Sequence, residues 1–274
     1  MPNGTLPALH DTDTVCDREE REMDLIWHGT AAIEMRCGQG KLLFDPFVPL
    51  KHSPVDVKIE EFDGFSDIFI THCHLDHLVN IPEIVKRNPG AMIHGSHTTV
   101  ETLMKKGVPE KNLTQLHYGD RKTVNGFTVR VFHGKHAVLP KVDAKRAAGW
   151  MKSPARGNMP FIVREFQACQ ENDESLFYQI GADGKTVELM GSMNLRDEVK
   201  YPTQADALVL PFNGWEDNYP PAVRIIDQLK PKRVLLDHYD DTFPPVSPVV
   251  DVSPLVQRNS GSVTAMKLRN VEHI

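Results

Sequence analysis

The stretch "THCHLDHL" at residues 71–78 places three histidines, one aspartate and one cysteine within six consecutive positions, His72 to His77. These are the side chains that hold transition metals. In an extended chain alternate side chains face one way, so His72 and His74 point together and Cys73 points away. A turn after Leu75 swings Asp76 and His77 round to a neighbouring point. The spacing H-x-H-x-D-H therefore offers two donors to one ion and two to a second. Imidazole and carboxylate suit zinc and related divalent ions; a carboxylate in place of thiolates favours an open, catalytic site over a closed structural one. Such an ion lowers the pKa of water toward neutrality and polarises a carbonyl or phosphoryl group, which is the chemistry of a metal-dependent hydrolase. Without a cation, three crowded imidazoles repel when protonated and bring the fold no benefit.

Further donors must come from other strand ends. "VRVFHGKHA" supplies His133 and His136, and "VLLDHYDD" supplies His238. Each lies at or just beyond an apolar run of strand length, so each can reach the same edge of the fold.

The elements that must position these residues read as follows. "DLIWHG", "AAIEMRC" and "KLLFDPF" are short strands punctuated by glycine, and "SDIFITH" is a buried strand delivering its end to the histidine cluster. "NIPEIVKRN" and "SHTTVETLMKKG" have helical spacing, the second with Ser96 as N-cap and Gly107 at its stop, and "GAMIHG" between them is a strand. "LTQLHYGDRKTVNGFTVRVFHGKH" supplies three more strands around the turns "GD" and "NG". Residues 138–159 fit no strong period and read as a surface excursion forming a lid or rim. "PFIVREFQA", "SLFYQIG", "TVELMGS" and "DALVLPF" are strands, "PPAVRIIDQLK" a helix, and "PKRVLLDH" a strand followed by a Pro-rich, then polar, tail. A polar lead-in over residues 1–23 and one domain over 24–274, built as two sheets sandwiched by helices, is the simplest packing of this order.

Composition narrows the function. The 274 residues are 40% hydrophobic and 25% charged, with net charge −6, so no basic surface for nucleic acid is expected. No apolar run approaches the length of a membrane span. The N-terminus lacks a basic start followed by an apolar stretch, and the four cysteines form no C-x-x-C pair, so a cytoplasmic protein is expected. A small molecule is the expected partner; a homo-oligomer is compatible with the sequence.

"THCHLDH" resembles the signature of the metallo-β-lactamase-fold hydrolases. "LIWHGTAAIEM" with "KLLFDPF", and "RVLLDHYDD", resemble the opening and closing segments of the lactonase-like branch, which includes the ascorbate-6-phosphate lactonases. The likeness covers roughly residues 24–245. It implies an α+β fold, a four-layer αββα sandwich of two mixed sheets flanked by helices, with one or two divalent ions at one edge, zinc before manganese. Carried onto this sequence, the resemblance assigns His72, His74 and His136 to a first ion and Asp76, His77 and His238 to a second. His136 is preferred to His133 because the family places the donor just past the strand. Asp76 also orients the attacking water or takes its proton. Asp45, in "LFDPF", is either a turn aspartate before proline or, as the resemblance favours, a buttress of the histidine turn. The branch tilts the substrate toward a small, phosphorylated or carboxylated molecule.

One departure stands out. The family carries a Gly-Asp pair whose aspartate bridges both ions, and here the matching text is "ELMGSMN", with Ser192 at that place. A neutral hydroxyl leaves paired cations less neutralised, so the second site is expected to be weaker. Asn194 is a poor substitute.

Other residues carry weaker expectations. His28 is either a substrate contact or a plain strand-end histidine, and capping or exposure accounts for His94 and His97. Asp237 is expected on the face of its strand opposite His238, and Cys73 in the core. Trp215 and Tyr219 either line a pocket or pack as surface aromatics. Lys135, Lys152 and Arg156 either meet an anionic substrate or are merely solvated. Hydrolysis of a small lactone, amide or phosphoester is the leading function. The alternatives are a phosphodiesterase or nuclease of the same fold, and a metal-binding sensor without turnover, which Ser192 supports.

Overall fold

In the computed structural model, residues 22–138, 141–213, 218–259 and 261–274 are described. Most of the lead-in, and Trp215, lie outside them; Met23 already opens the first strand. Strands β1 (Met23–Trp27), β2 (Ile33–Cys37), β3 (Gly40–Phe44), β4 (Asp67–Phe69), β5 (Met92–Gly95) and β6 (Leu113–Gln115) make the first sheet. Helices α1 (Leu75–Leu78), α2 (Ile81–Arg87) and α3 (His97–Lys105) interrupt them. The second sheet holds β7 (Arg121–Val124), β8 (Phe127–His133), β9 (Leu176–Ala182), β10 (Lys185–Met190), β11 (Ala207–Pro211), β12 (Arg233–Asp237) and β13 (Val263–Ala265). Helices α4 (Ala144–Lys152), α5 (Met159–Ala168), α6 (Tyr219–Leu229) and α7 (Ser253–Arg258) fall among these, and β14 (Val271–His273) returns to the first sheet.

The strand orders are β14-β1-β2-β3-β4-β5-β6 and β13-β12-β11-β10-β9-β8-β7. Each sheet is antiparallel over one half and parallel over the other, so both are mixed. Side chains alternate between two cores, as the pleat requires. Ala207, Val209 and Leu235 face the first sheet, where they meet Leu25, Met35, Leu42 and Phe44. Leu208, Leu210, Val234 and Leu236 face outward onto Ala222, Ile225 and Leu229 of α6. Leu43, Ile68 and Ile93 face the other way, onto Ile81, Ile84 and Leu103 of α2 and α3. Helix, sheet, sheet, helix is the four-layer αββα sandwich expected. Among the described residues no helix is long and apolar enough to cross a membrane.

Three expectations are corrected. "PFIVREFQA" is not a strand but most of α5. A short apolar run does not distinguish a strand from a buried helix; Pro160 in the first helical turn and the spacing Met159, Ile162, Val163, Phe166 decide for the helix. The excursion at 138–159 contains α4, whose N-cap Asp143 accepts the Arg146 amide at 2.7 Å. The Pro-rich, then polar, tail beyond residue 238 shows no element in its sequence pattern; it holds α7, β13 and β14, and the strands are three residues each, too short to show alternation.

Candidate metal centre

The candidate donors all follow strands that run the same way within their sheets. Asp45 and His72 lie just past β3 and β4, His136 past β8, Ser192 past β10 and His238 past β12. The two sheets meet at this edge, where the Leu176 amide donates to Thr71 O at 2.7 Å and the His238 amide donates to Thr30 O at 2.9 Å. His74 is extended, at φ −117° and ψ 159°, and caps the single-turn helix α1 that carries Asp76 and His77.

Two donor groups result. His72, His74 and His136 form one, with His72 Nε2 3.1 Å from His74 Nδ1 and imidazole centroids 4.6–4.8 Å apart. Asp76, His77 and His238 form the other, with Asp76 Oδ2 3.2 Å from His238 Nε2 and 3.7 Å from His77 Nε2. Within each group the ligand atoms lie within 4.8 Å of one another. The groups adjoin, because His72 and His77 pack with ring centroids 3.9 Å apart.

Neighbouring groups fix the rings. His136 Nδ1 lies 2.6 Å from Ala137 O, so Nδ1 carries the proton and Nε2 is left as the donor. Asp45 accepts the Thr71 amide at 2.8 Å and the Thr71 hydroxyl at 2.6 Å, and its Oδ2 is 2.9 Å from His77 Nδ1. The same Thr71 hydroxyl stands 3.0 Å from His72 Nδ1. Asp45 is therefore placed as a buttress of the histidine turn. Gly191 leaves room for this arrangement: a Cβ there would come within 2.0 Å of Thr71 Oγ1 and 3.0 Å of His72 Nδ1.

Protonation states suit a cation. Burial, with the neighbouring imidazoles, holds His72 well below the ordinary histidine range and pushes His74 down to about 3. Burial lowers His136 as well. These three rings are neutral at pH 7, with lone pairs to give. Burial alone would raise Asp76 and lower His238, but the nearby opposite charges outweigh it: His77 and then His238 for Asp76, and Asp76 first for His238. Asp76 is held well below the usual carboxylate range, and His238 rises to about 9. A proton thus sits between Asp76 and His238 where a cation would be at home.

The remaining expectations divide. His133 stands apart from both groups: its ring stacks on Tyr118 at 3.9 Å and its Nε2 lies 3.0 Å from Asp173 O. The Ser192 hydroxyl is engaged by the protein itself: it accepts the Ala137 amide at 3.0 Å and pins the His136 loop. Asn194 is likewise engaged, donating to His136 O and accepting from Arg224. His28 pairs with Glu34 at 3.0 Å and Glu61 at 3.4 Å, outside the cavity beside the centre. Tyr219 packs in the α6 layer and has Arg258 over its ring. His97 is exposed, but His94 is not: it is buried on β5, 2.9 Å from Asp67 Oδ1 and stacked on Phe69. Cys73 is fully buried in the core.

Two features were missed. Asp240, two positions past His238, lines the cavity and accepts the Thr30 amide at 3.0 and 3.1 Å. The aspartate pair at the end of "DHYDD" was its only signal. The other is the apolar wall from α4 and α5, hidden by the misread period.

Known proteins bear on this arrangement. Residues 40–239 match the family described as Beta-lactamase superfamily domain. A metal-dependent hydrolase of Alkaliphilus metalliredigens is 27% identical over 255 residues, covering 92% of this chain and 99% of that one. A metallo hydrolase from the hyperthermophilic archaeon Ignicoccus hospitalis has a TM-score of 0.62 at 18% identity, over 92% of this chain and 98% of that chain. An isothiocyanate hydrolase from Delia radicum gut bacteria has a TM-score of 0.61 at 14% identity, over 91% and 98%. With the family match spanning well over half its length, the chain belongs to the beta-lactamase superfamily and is a metal-dependent hydrolase of the metallo-β-lactamase fold.

Proposed function

We propose that His72, His74 and His136 hold one divalent ion, that Asp76, His77 and His238 hold a weaker second one, and that the centre hydrolyses a small molecule at a lactone, amide or phosphoester bond. Zinc fits an imidazole-rich set with one carboxylate best, and manganese next. A divalent ion bound here polarises the scissile group and lowers the pKa of water. Asp76 orients the attacking water or takes its proton. Asp45 and Thr71 keep the His72 and His77 rings oriented throughout.

The observation that carries this reading is the meeting of neutral imidazoles from β4 and β8 with the Asp76–His238 pair at the floor of a cavity of about 350 Å³. Nucleic acid fits poorly, since among the described residues no lysine or arginine lines that cavity. The engagement of Ser192 by the Ala137 amide keeps a second reading open, a metal-binding sensor without turnover. Assay of lactones, amides and phosphodiesters with the intact protein separates the two. Turnover that chelation and His74→Ala both abolish is expected; bound metal with no turnover of any compound would favour the sensor.

A further inference from the structure

We infer that the substrate is a neutral molecule carrying an apolar alkyl or aromatic group beside its scissile bond; this rests on the hydrolase reading above. The donors form only one wall of the cavity. The rest of its lining is mostly apolar and includes Val142, Trp150, Met159, Ile162, Phe166 and Phe243. Met159, Ile162, Val163 and Phe166 recur at i, i+3, i+4 and i+7, so α5 turns one apolar stripe toward the centre. Phe166 stands edge-on to His74, with ring centroids 6.2 Å apart.

The same chemistry continues outward. Of the eight large hydrophobic side chains exposed among the described residues, Val138, Val142, Met151 and Val163 belong to this one segment. Val142 and Val163, 50% and 47% exposed, also line the cavity, so its mouth as well as its interior is apolar. Apolar surface left uncovered beside a polar centre marks a place for a ligand.

Charge points the same way. Apart from the six candidate donors, Asp240 is the one ionisable side chain among the described lining residues. Lys135, Lys152 and Arg156 do not line the cavity. A phosphate or carboxylate at the end of the substrate away from the ions would be buried against this apolar wall and Asp240, with no cationic side chain there to pair it.

The wall is also built to stay in place. Glu165 is paired with Lys106 of the α3 end, and Asn158 donates to both Lys51 O and Pro244 O at 2.8 Å. An apolar group therefore enters a preformed surface and loses little to ordering it.

The test uses the metal-loaded protein and a series of neutral lactones whose alkyl side chain grows by one methylene at a time, alongside counterparts ending in carboxylate or phosphate. Displacement of the neutral fluorescent probe N-phenyl-1-naphthylamine is read in parallel. We expect kcat/KM to rise about fourfold per methylene until the cavity is full, and the anionic counterparts to be at least about tenfold poorer. Val163→Glu, at a half-exposed position of this wall, should lower kcat/KM for the longest neutral lactone about tenfold. A flat dependence on chain length, or a preference for the anionic series, overturns the inference. If no compound turns over, chain-length dependence in probe displacement still decides it, and the hydrolase reading alone has failed.

Discussion

Asp45 braces His77 from behind: its Oδ2 lies 2.9 Å from His77 Nδ1, while its Oδ1 accepts the Thr71 amide one residue before His72. One buried carboxylate thereby holds both ends of the histidine turn. Asp45 sits at φ 45°, a left-handed conformation that asparagine also tolerates, so Asp45→Asn removes the charge with little backbone cost. Outer partners of this kind are worth about 10–100-fold in metal affinity. Asp45→Asn is expected near the lower end and Asp45→Ala near the upper, in chelator competition, with far-UV circular dichroism unchanged. Unaltered affinity in both variants would deny Asp45 its buttressing role.

Gly191 is a second point of dependence. Its Cα approaches Thr71 so closely that an added Cβ would lie 2.0 Å from Thr71 Oγ1. Thr71 is fully buried and held by Asp45, so it has nowhere to go. Gly191→Ala should cost about 1–3 kcal/mol of stability by overpacking, seen as a lower midpoint in denaturant. It should also weaken metal binding, because the displaced hydroxyl orients His72. Wild-type stability in this variant would show that the β10 end moves away easily.

The placement of Ser192 predicts unequal ion sites. Its hydroxyl serves the Ala137 amide, so no carboxylate bridges the two donor groups from β10. Ser192→Asp supplies one and should tighten the second ion at least about tenfold. Titration calorimetry with zinc would show a second binding step shifted to lower concentration. An unchanged second step would mean that the Asp76 group needs no help from that position.

Glu188 makes a prediction about pH. It is fully buried on β10 with neither carboxyl oxygen hydrogen-bonded, and burial pushes it up to about 8 from an unfolded value near 4.5. Between those values the folded chain keeps a proton that the unfolded chain releases. Stability is therefore full below the unfolded value and falls as pH rises toward 8. Measured against Glu188→Gln, which cannot ionise, the wild type should lose on the order of 4 kcal/mol between pH 5 and pH 9. Parallel stability curves for the two proteins would show that water reaches this carboxylate.

The legible parts of the chain were those governed by short spacing or by a strand's two-sided burial. His72, His74, Asp76 and His77 announce a donor cluster in six positions, and runs such as "ALVLPF" and "RVLLD" announce strands, which the structure shows to be buried on both faces and parallel. The convergence of His136 and His238 on that cluster depends on strand order across two sheets, which local patterns do not encode; the family resemblance supplied it. The α5 wall was lost because "PFIVREF" is apolar and β-branched enough to pass for a strand. Asp240 was hidden by an aspartate-rich run in which nothing local separates a cavity residue from a turn.

The central requirement is a cation among these side chains, and metal content tests it most directly. Protein purified without chelator, and the His72→Ala and His238→Ala variants, would be equilibrated with zinc, desalted and analysed by inductively coupled plasma mass spectrometry. At least one ion per wild-type chain is predicted, with His72→Ala losing it and His238→Ala keeping the first ion while losing any second. Wild-type protein that retains no metal, and whose thermal midpoint zinc leaves unmoved, would contradict the centre itself.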